Sequence, residues 1–306
     1  MTAELLLPLL AAAVQTGTPI LYATLGEILT ERAGVLNLGV EGIMMVGALA
    51  AYVTALATGH AGLGFAAGAG CGALLAAVHA QVCVGFRGNQ VVSGLALTIL
   101  GTGLANYLGT PYIGQSIPGF QRTALPLLGQ IPILGPVFFR QDPLVYLSYL
   151  APVFVWVALK RTTWGLNLRA AGEAPEAVTA AGLSFARLRW SAVVLGGLLM
   201  GCGGAYLSLA YTHLWSTGLV AGRGWIAVAL VIFAFWHPGR AVLGAYLFGG
   251  VMAFQFRLQA LGTHLPSSLL LMLPYLLTIF VLVAASVRRR GQAPPAALGV
   301  NHEPPD

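Results

Sequence analysis

The chain has 306 residues, of which 58% are hydrophobic and only 8% are charged. Its mean hydropathy is +0.82, whereas a soluble domain has roughly 25% charged residues. This composition excludes an ordinary soluble enzyme, which needs a polar surface, and a disordered chain, which needs low hydrophobicity and high charge. The 40 glycines fit closely packed membrane helices, in which small residues let backbones approach each other.

Nine apolar runs are long enough, or nearly long enough, to cross a hydrocarbon core about 30 Å thick. In chain order they are 5–25, 38–56, 61–86, 91–108, 143–159, 191–211, 225–236, 241–261 and 265–287. We therefore predict an all-α, polytopic bundle of about nine transmembrane helices, within a range of eight to ten, over residues 1–290. The run 225–236 is too short for an untilted span and fits a half-helix. Residues 291–306 are rich in proline and predict a disordered tail.

The basic residues are distributed unevenly between the two sides of this predicted bundle. With nine spans and a cytoplasmic C-terminus, the cytoplasmic side receives Arg32, Arg87, Lys160, Arg161, Arg169, Arg187, Arg189, Arg240, Arg288, Arg289 and Arg290. The outer side, or its vicinity, receives Arg122, Arg140, Arg223 and Arg257. Because cytoplasmic loops carry an excess of Lys and Arg, eleven against four predicts an external N-terminus and a cytoplasmic C-terminal tail.

The predicted cytoplasmic connection 160–190 contains a short helix of its own. Pro175 suits the first position of a helix, where its missing N–H costs nothing. Glu176 complements the positive end of the helix dipole, and Gly182 provides a left-handed stop. The pattern predicts a helix of about two turns over Pro175–Ala181. Since so short a helix is marginal in water, we expect it to dock on a partner or to lie on the membrane as an amphipathic linker.

This connection resembles the coupling-helix region of bacterial ABC importer permeases, in the family of branched-chain amino acid, simple-sugar and nucleoside permeases. Members have the pattern Gly-Glu-x-Pro-x-Ala-Ala-x-x-x-Gly there. The chain departs from it at Ala174, where a common Asn would cap the helix and Ala costs about 1 kcal/mol, and at Val178, where Ala is common. The resemblance implies that the residues coupling the permease to an ATPase are Gly172, Glu173, Pro175, Glu176, Ala177, Ala180 and Gly182.

Three further stretches are similar to the nucleoside and simple-sugar branch of this family. They are 31–44, 88–97, and 222–229 followed by Trp-His-Pro-Gly at 236–239. The motifs occur in the family's order, and the resemblance covers roughly residues 15–285. It implies a bacterial inner-membrane permease that imports a nucleoside by alternating access. It also implies three protein partners: a second related permease, a cytoplasmic ATPase and an extracytoplasmic substrate-binding protein.

Polar residues inside the apolar runs are candidates for a substrate pathway. Gly34, Gly39 and Gly42 predict a broken helix, which persists at membrane depth where it lines a cavity or is buried in protein. Asn37 and Glu41 lie at this break, and an intramembrane acid is a functional candidate. The alternative is that Glu41 lies at the cytoplasmic interface, where it caps a helix or pairs with an arginine.

The fourth run carries amides and hydroxyls, which are the groups that bind ribose hydroxyls and base edges. These residues are Asn89, Gln90, Ser93, Thr98 and Asn106. Positions 90, 93 and 97 share one helix face, as do 98, 102 and 106. A polar face in lipid must look inward, either to a pore or to a neighbouring helix with which it forms hydrogen bonds.

Other functions have less support in the sequence. The chain has no P-loop motif and no recognisable nucleophile or metal-ligand spacing, so we expect neither an enzyme nor a cofactor. Its basic residues are spread between apolar runs, and we expect no nucleic-acid partner. Three transport alternatives stay open, namely simple-sugar uptake, branched-chain amino acid uptake, and a secondary transporter driven by protons or sodium.

Overall fold

The computed structural model describes residues 3–262, 266–287 and 293–301, and most of them are helical. The helices are α1 Ala3–Arg32, α2 Val40–Thr58, α3 Ala61–Ala80, α4 Gln90–Gly109, α5 Leu134–Phe138, α6 Pro143–Arg161, α7 Thr163–Glu173, α8 Pro175–Ala180, α9 Phe185–Tyr206, α10 Arg223–Phe233, α11 Pro238–Ala260, α12 Ser267–Leu271 and α13 Leu273–Val287. Wider turns at Gln81–Gly85 and Leu207–Tyr211 extend α3 and α9. The strands β1 Thr123–Ala124 and β2 Arg140–Gln141 pair in antiparallel fashion.

Seven helices of the described residues are long and apolar enough to cross a membrane. They cover Leu6–Arg32, Val40–Thr58, Ala61–Gly85, Gln90–Tyr112, Pro143–Arg161, Phe185–Tyr211 and Pro238–Ala260. Two shorter apolar helices, Arg223–Phe233 and Leu269–Val281, bring the apolar helical segments to nine. Each of the nine predicted runs corresponds to one of these segments, so the predicted all-α membrane bundle is confirmed.

The centre of the bundle depends on glycine contacts between α2, α3 and α9. A Cβ atom added to Gly72 would lie 2.6 Å from the Cα atom of Gly201, and one added to Gly68 would lie 2.6 Å from the carbonyl oxygen of Gly47. Such distances are too short for any side chain, so hydrogen is the largest group that fits. Close backbone approach of this kind stabilises helix association in lipid, where burial of apolar surface gives little driving force.

The helical structure is interrupted between α1 and α2, where the chain enters the bundle as a non-helical segment. At one end of the bundle, the Arg189 side chain donates to the carbonyl oxygen of Ala33 over 3.0 Å. Met44 lies against Gly204, fifteen residues further along α9. At 1.5 Å per helical residue, this separation is about 22 Å. Helix α2 therefore begins at Val40 well inside the bundle, and residues 33–39 lead the backbone up to that point.

Helix α10 is also a partial span, as the short run 225–236 predicts. Its N-terminus lies beside Glu41, and its C-terminal end approaches the end of α1, where the Trp236 indole donates to Glu31. Eleven residues give a length of about 16 Å, roughly half of the hydrocarbon core. Two helices, α2 and α10, thus begin in the interior next to each other.

The two ends of the bundle differ in structure. One end, termed here the α8 face, contains α7, α8, the end of α1, the beginning of α9 and residues 293–301. The other end, termed the hairpin face, contains the β1–β2 pair and the connection from α4 to α6, whose prolines prevent a continuous helix. A bridge between Ser116 and Leu214 ties this connection to the segment before α10.

The end of the chain differs from the predicted disordered tail. Residues 293–301 pack on the α8 face, where the Ala297 N–H donates to Gly172 over 2.8 Å and the Gly299 N–H donates to Gly34 over 3.2 Å. The Arg189 guanidinium also donates to the carbonyl oxygens of Ala297 and Val300. These backbone contacts order the segment despite its proline content. Residues 291–292 and 302–306 lie outside the described residues.

Candidate functional site

The carboxylate of Glu41 links the beginning of α2 to the beginning of α10. Its Oε1 atom accepts the N–H of Gly222 over 2.8 Å, and its Oε2 atom accepts the N–H of Gly224 over 2.7 Å. Gly222 has φ +81°, a left-handed conformation that suits glycine. Glu41 therefore caps a helix, as one alternative of the sequence analysis holds, but the cap lies inside the bundle rather than at its interface. A carboxylate there is stabilised by free N–H groups and the positive end of α10.

Asn37 organises the segment that leads into α2. Its side chain is fully buried, and its Oδ1 atom accepts the N–H of Gly39 over 2.8 Å. Its own N–H donates to Oε1 of Glu27 over 3.0 Å. These bonds satisfy backbone groups that have no helical partner at this depth, as an apolar environment requires.

Polar side chains of α4 form hydrogen bonds to the non-helical segments that precede α2 and α10. The Thr98 hydroxyl donates to the carbonyl oxygen of Leu38 over 2.7 Å. Oδ1 of Asn106 accepts the N–H of Gly218 over 3.1 Å, in the segment before α10. The predicted inward face of α4 thus contacts both interrupted segments, and Asn37, Glu41, Thr98 and Asn106 belong to one region. Glu41, Thr98 and Asn106 are half-buried.

The three remaining predicted pathway residues lie near the α8 face. Asn89 is exposed and caps α4 by accepting the N–H of Val92 over 3.0 Å. Gln90 accepts the N–H of Leu36 over 2.8 Å and donates to Asn301 over 3.2 Å.

The Ser93 hydroxyl lies 3.0 Å from Nδ1 of the buried His79. Asn89, Gln90 and Ser93 therefore fix the N-terminal end of α4 at the α8 face. The structure does not bring them together with Glu41 and Asn106.

Three buried ionisable residues of this region are not among the sequence-predicted pathway residues. Glu27 and Glu31 lie on α1 and are 0% and 2% exposed. Oε2 of Glu27 has no hydrogen-bond partner among the described residues, whereas Glu31 accepts the Trp236 indole N–H over 2.6 Å. The i, i+4 spacing of the two carboxylates indicates that they share one helix face, but both lie beyond the apolar run 5–25.

Arg223 is the third of these residues. It is only 4% exposed and donates to the carbonyl oxygen of Val220 over 2.9 Å. Its guanidinium lies 5.7 Å from the ring centre of Tyr211, a cation–π distance. The distribution of basic residues predicts that Arg223 lies near the outer face, whereas the structure buries it at the beginning of α10.

The predicted coupling residues form a short surface on the α8 face. Helix α8 spans Pro175–Ala180, one residue shorter than predicted, with proline at its first position. Ala174 gives no side-chain cap, as the departure from the family pattern predicts. Gly182 has φ +73°, and its N–H donates to Thr179 over 2.9 Å. The helix therefore begins and ends by the predicted signals.

Burial separates the coupling residues into an anchored and an outward-facing set. Val178 is 2% exposed and anchors α8, while Gly172 is buried against the end of α1 and Pro175 is half-buried. The exposed residues are Glu173, Glu176, Ala177, Ala180 and Gly182. This outward surface is small-chained in the middle and acidic on its N-terminal side.

Comparisons with known proteins agree with this architecture. The family model described as the branched-chain amino acid transport system permease component matches residues 9–282. A provisionally named glucose ABC transporter permease of Haloferax volcanii is 45% identical, over 92% of both chains. A nucleoside ABC transporter permease of Lactococcus lactis is 35% identical, over 87% of this chain and 88% of its own. A guanosine ABC transporter permease of Bacillus subtilis is 32% identical, over 91% and 92%.

Haloferax volcanii and Bacillus subtilis each have a second, more distant relative of this chain. These are a glucose permease that is 24% identical and a guanosine permease that is 23% identical. No solved structure matches the chain. The family match over most of the chain, the relatives and the nine apolar helical segments among the described residues lead to one conclusion: this multi-pass membrane protein belongs to the branched-chain amino acid transport system permease family and is a permease of an ABC importer.

Proposed function

We propose that the chain works as one of two related permease subunits and that its α8 face is the cytoplasmic side that binds the ATPase. The observation that carries this proposal is the outward surface of α8. A helix of six residues has little stability of its own, and Val178 holds it from below. The exposed Ala177 and Ala180 leave a shallow surface, which suits insertion into a groove of a partner.

The charge distribution supports the same orientation. Arg32, Lys160 and Arg169 line one cavity of the α8 face, and Arg189 connects that face to the tail. By comparison, the hairpin face contains Arg140, whose side chain donates to the carbonyl oxygen of Gly129. An excess of basic residues is typical of cytoplasmic ends. The segment after α13, with Arg288, Arg289 and Arg290, lies outside the described residues.

The proposed partners follow from the family and from what this chain lacks. The sequence contains no P-loop motif, so a separate polypeptide hydrolyses ATP. The two permease relatives in Haloferax volcanii and the two in Bacillus subtilis favour a second permease that pairs with this one. A substrate-binding protein delivers the cargo to the hairpin face.

The interrupted helices provide a candidate pathway for the transported solute. Alternating access rocks helices around a fixed midplane site, which is typically formed where spanning helices are broken. Glu41, Thr98 and Asn106 lie at such a break and offer carboxylate, hydroxyl and amide groups. These groups fit hydroxyl-rich cargo. We place the substrate pathway next to the inward face of α4, between the beginnings of α2 and α10.

The proposed cargo is a sugar-containing solute. D-glucose is the first candidate because the 45% identical relative is named for glucose. Nucleosides are the second, because two relatives are named for nucleoside and guanosine transport and because the sequence motifs resemble that branch. Both cargos present a ring with hydroxyl groups, which is consistent with the polar residues at the break.

Uptake into cells distinguishes the two cargos. Cells that express the chain with its ATPase, second permease and binding protein are given labelled D-glucose or labelled guanosine, and cells that lack only this chain are the control. Glucose import that depends on the chain and resists excess guanosine assigns glucose, and the reverse pattern assigns nucleosides. If uptake of neither compound depends on the chain, the proposed cargo class is wrong.

A further inference from the structure

A groove lies between α6 and α11, and none of the residues Glu41, Thr98 and Asn106 lines it. At the α8 face it begins in a cavity of about 390 Å³. The charged and titratable residues that line this cavity are Arg32, Lys160, Arg169, His237 and Glu173. Trp156 and Trp236 also line it, and indole rings are typical of the level where lipid meets water.

The cavity has an excess of positive charge. Three cationic side chains face one carboxylate, and Oε2 of Glu173 already accepts the N–H of Ala296 over 3.3 Å. Burial, followed by the positive charges of Arg240, Lys160 and Arg32, lowers the pKa of His237 below its usual value. Helix α11 begins at Pro238 in the wall and adds the positive end of its dipole. The complementary ligand is an anion.

The groove continues from this cavity as an apolar channel along α6. A second cavity of about 330 Å³ shares Trp156 and His237 with the first and is lined by Tyr149, Pro152 and Val153. A third, of about 310 Å³, shares Tyr149 and Pro152 and reaches the hairpin-face connection. From Lys160 to Tyr149, α6 rises about 16 Å, which is roughly half of the hydrocarbon core.

We propose that this groove binds one anionic phospholipid. The phosphate lies among Arg32, Lys160 and Arg169, and one acyl chain follows α6 through the apolar channel to about the middle of the membrane. The basic cavity alone would suit any phosphate, but the apolar cavities that adjoin it along α6 select a lipid. Basic pockets between helices at a membrane surface are suited to anionic headgroups. The site is separate from the pathway at Glu41 and does not depend on the identity of the cargo.

Quenching of tryptophan fluorescence tests the proposal on the full chain in detergent. The probes are phosphatidylglycerol and phosphatidylcholine with brominated acyl chains, because bromine quenches indoles that it contacts. We expect saturable quenching by phosphatidylglycerol at lower concentration than by phosphatidylcholine. Trp156→Phe should remove most of the saturable part, since Trp156 lines both the basic cavity and the channel.

Charge and shape variants identify the site. Lys160→Gln and Arg169→Gln should each weaken phosphatidylglycerol binding about fivefold, as expected for one basic residue near an anionic headgroup. Arg187→Gln is the matched control, because Arg187 is exposed on the same face outside the cavity, and it should bind as the wild type. Val153→Phe should hinder the acyl chain. An unchanged thermal midpoint shows that each variant is folded.

Four results would overturn the proposal. Equal affinity for the two lipids would remove the charge selectivity, and unchanged binding in Lys160→Gln and Arg169→Gln would remove the site. Displacement of the brominated lipid by inorganic phosphate alone would indicate a free-anion site. Exclusion of the lipid whenever the second permease is bound would indicate a protein interface in the groove.

Discussion

The carboxylate of Glu41 accepts the backbone N–H of Gly224 over 2.7 Å, and this bond joins the beginning of α2 to the beginning of α10. Both helices therefore start at one point inside the bundle, and one side chain determines their separation. The same carboxylate binds Gly222 over 2.8 Å. A movement of α10 relative to α2 must break or replace these bonds, so Glu41 is placed to control the proposed pathway.

Replacement of Glu41 should lower the thermal stability of the protein by an amount that depends on the new side chain. Glu41→Ala leaves two N–H groups without a partner, at a cost of about 1–3 kcal/mol for each buried donor. Glu41→Gln keeps one acceptor oxygen and should lose less. We expect the apparent melting temperature in detergent to follow the order wild type, Gln variant, Ala variant, and uptake per folded molecule to fall in both. An Ala variant as stable as the wild type would contradict the capping role.

Asn106 and Asn89 lie at opposite ends of α4 and should respond differently to substitution by leucine. Asn106→Leu removes the acceptor for Gly218 beside the break, and we expect uptake to fall more than membrane abundance. Asn89→Leu removes an exposed helix cap worth about 1 kcal/mol, so uptake and abundance should fall together, and Asn89→Ser should restore both. Equal ratios of uptake to abundance in the two leucine variants would remove Asn106 from the pathway.

Arg189 should be important for the assembly of the α8 face. Its buried guanidinium donates to Ala33, Ala297 and Val300, which belong to the end of α1 and to the tail. Arg189→Met removes these charge-assisted bonds, and we expect destabilisation of about 2–3 kcal/mol. The exposed Arg187 is the control, since Arg187→Met should change the thermal midpoint little. Equal midpoints for the two variants would contradict this role.

The orientation of the α8 face is open to a labelling test. In a background with Cys71, Cys83 and Cys202 replaced, Glu176→Cys should react with a membrane-impermeant maleimide only after the cells are opened. Gln130→Cys, an exposed position in the connection of the hairpin face, should react in intact cells. The opposite labelling pattern would invert the proposed topology.

The sequence predicted the helices well because their signals are local. Apolar runs, Pro175 and Gly182 determine where segments begin and end, and hydrophobicity in a membrane protein leaves few alternative structures. The half-helix α10 was recognisable from the shortness of its apolar run. The inward face of α4 followed from helical periodicity, and Thr98 and Asn106 on it form hydrogen bonds to Leu38 and Gly218. That these contacts lie at the break could not be read from the periodicity.

The parts that were missed depend on contacts between distant segments. The buried position of Arg223 depends on the descent of residues 212–222 into the bundle, which no local pattern indicates. The contact between Trp236 and Glu31 joins residues 205 positions apart. The order of residues 293–301 depends on backbone carbonyls offered to Arg189, and proline content alone predicted disorder. Asn89, Gln90 and Ser93 have the polar groups that a substrate pathway needs, but they lie at the N-terminal end of α4, near the α8 face.

We propose that α8 transmits ATP hydrolysis to import, and reconstitution into vesicles tests this role. The chain, its second permease and its ATPase are placed in vesicles with loaded binding protein on the hairpin-face side and ATP on the α8 side. We predict uptake that requires ATP and persists when proton and sodium gradients are collapsed. Ala177→Glu, which adds bulk and charge on the exposed side of α8, should abolish both uptake and stimulated hydrolysis, while Ala177→Ser retains both. Normal uptake and normal stimulated hydrolysis in Ala177→Glu would remove α8 from the transport cycle. Uptake that follows an ion gradient without ATP would show that the protein is not an ATP-driven importer.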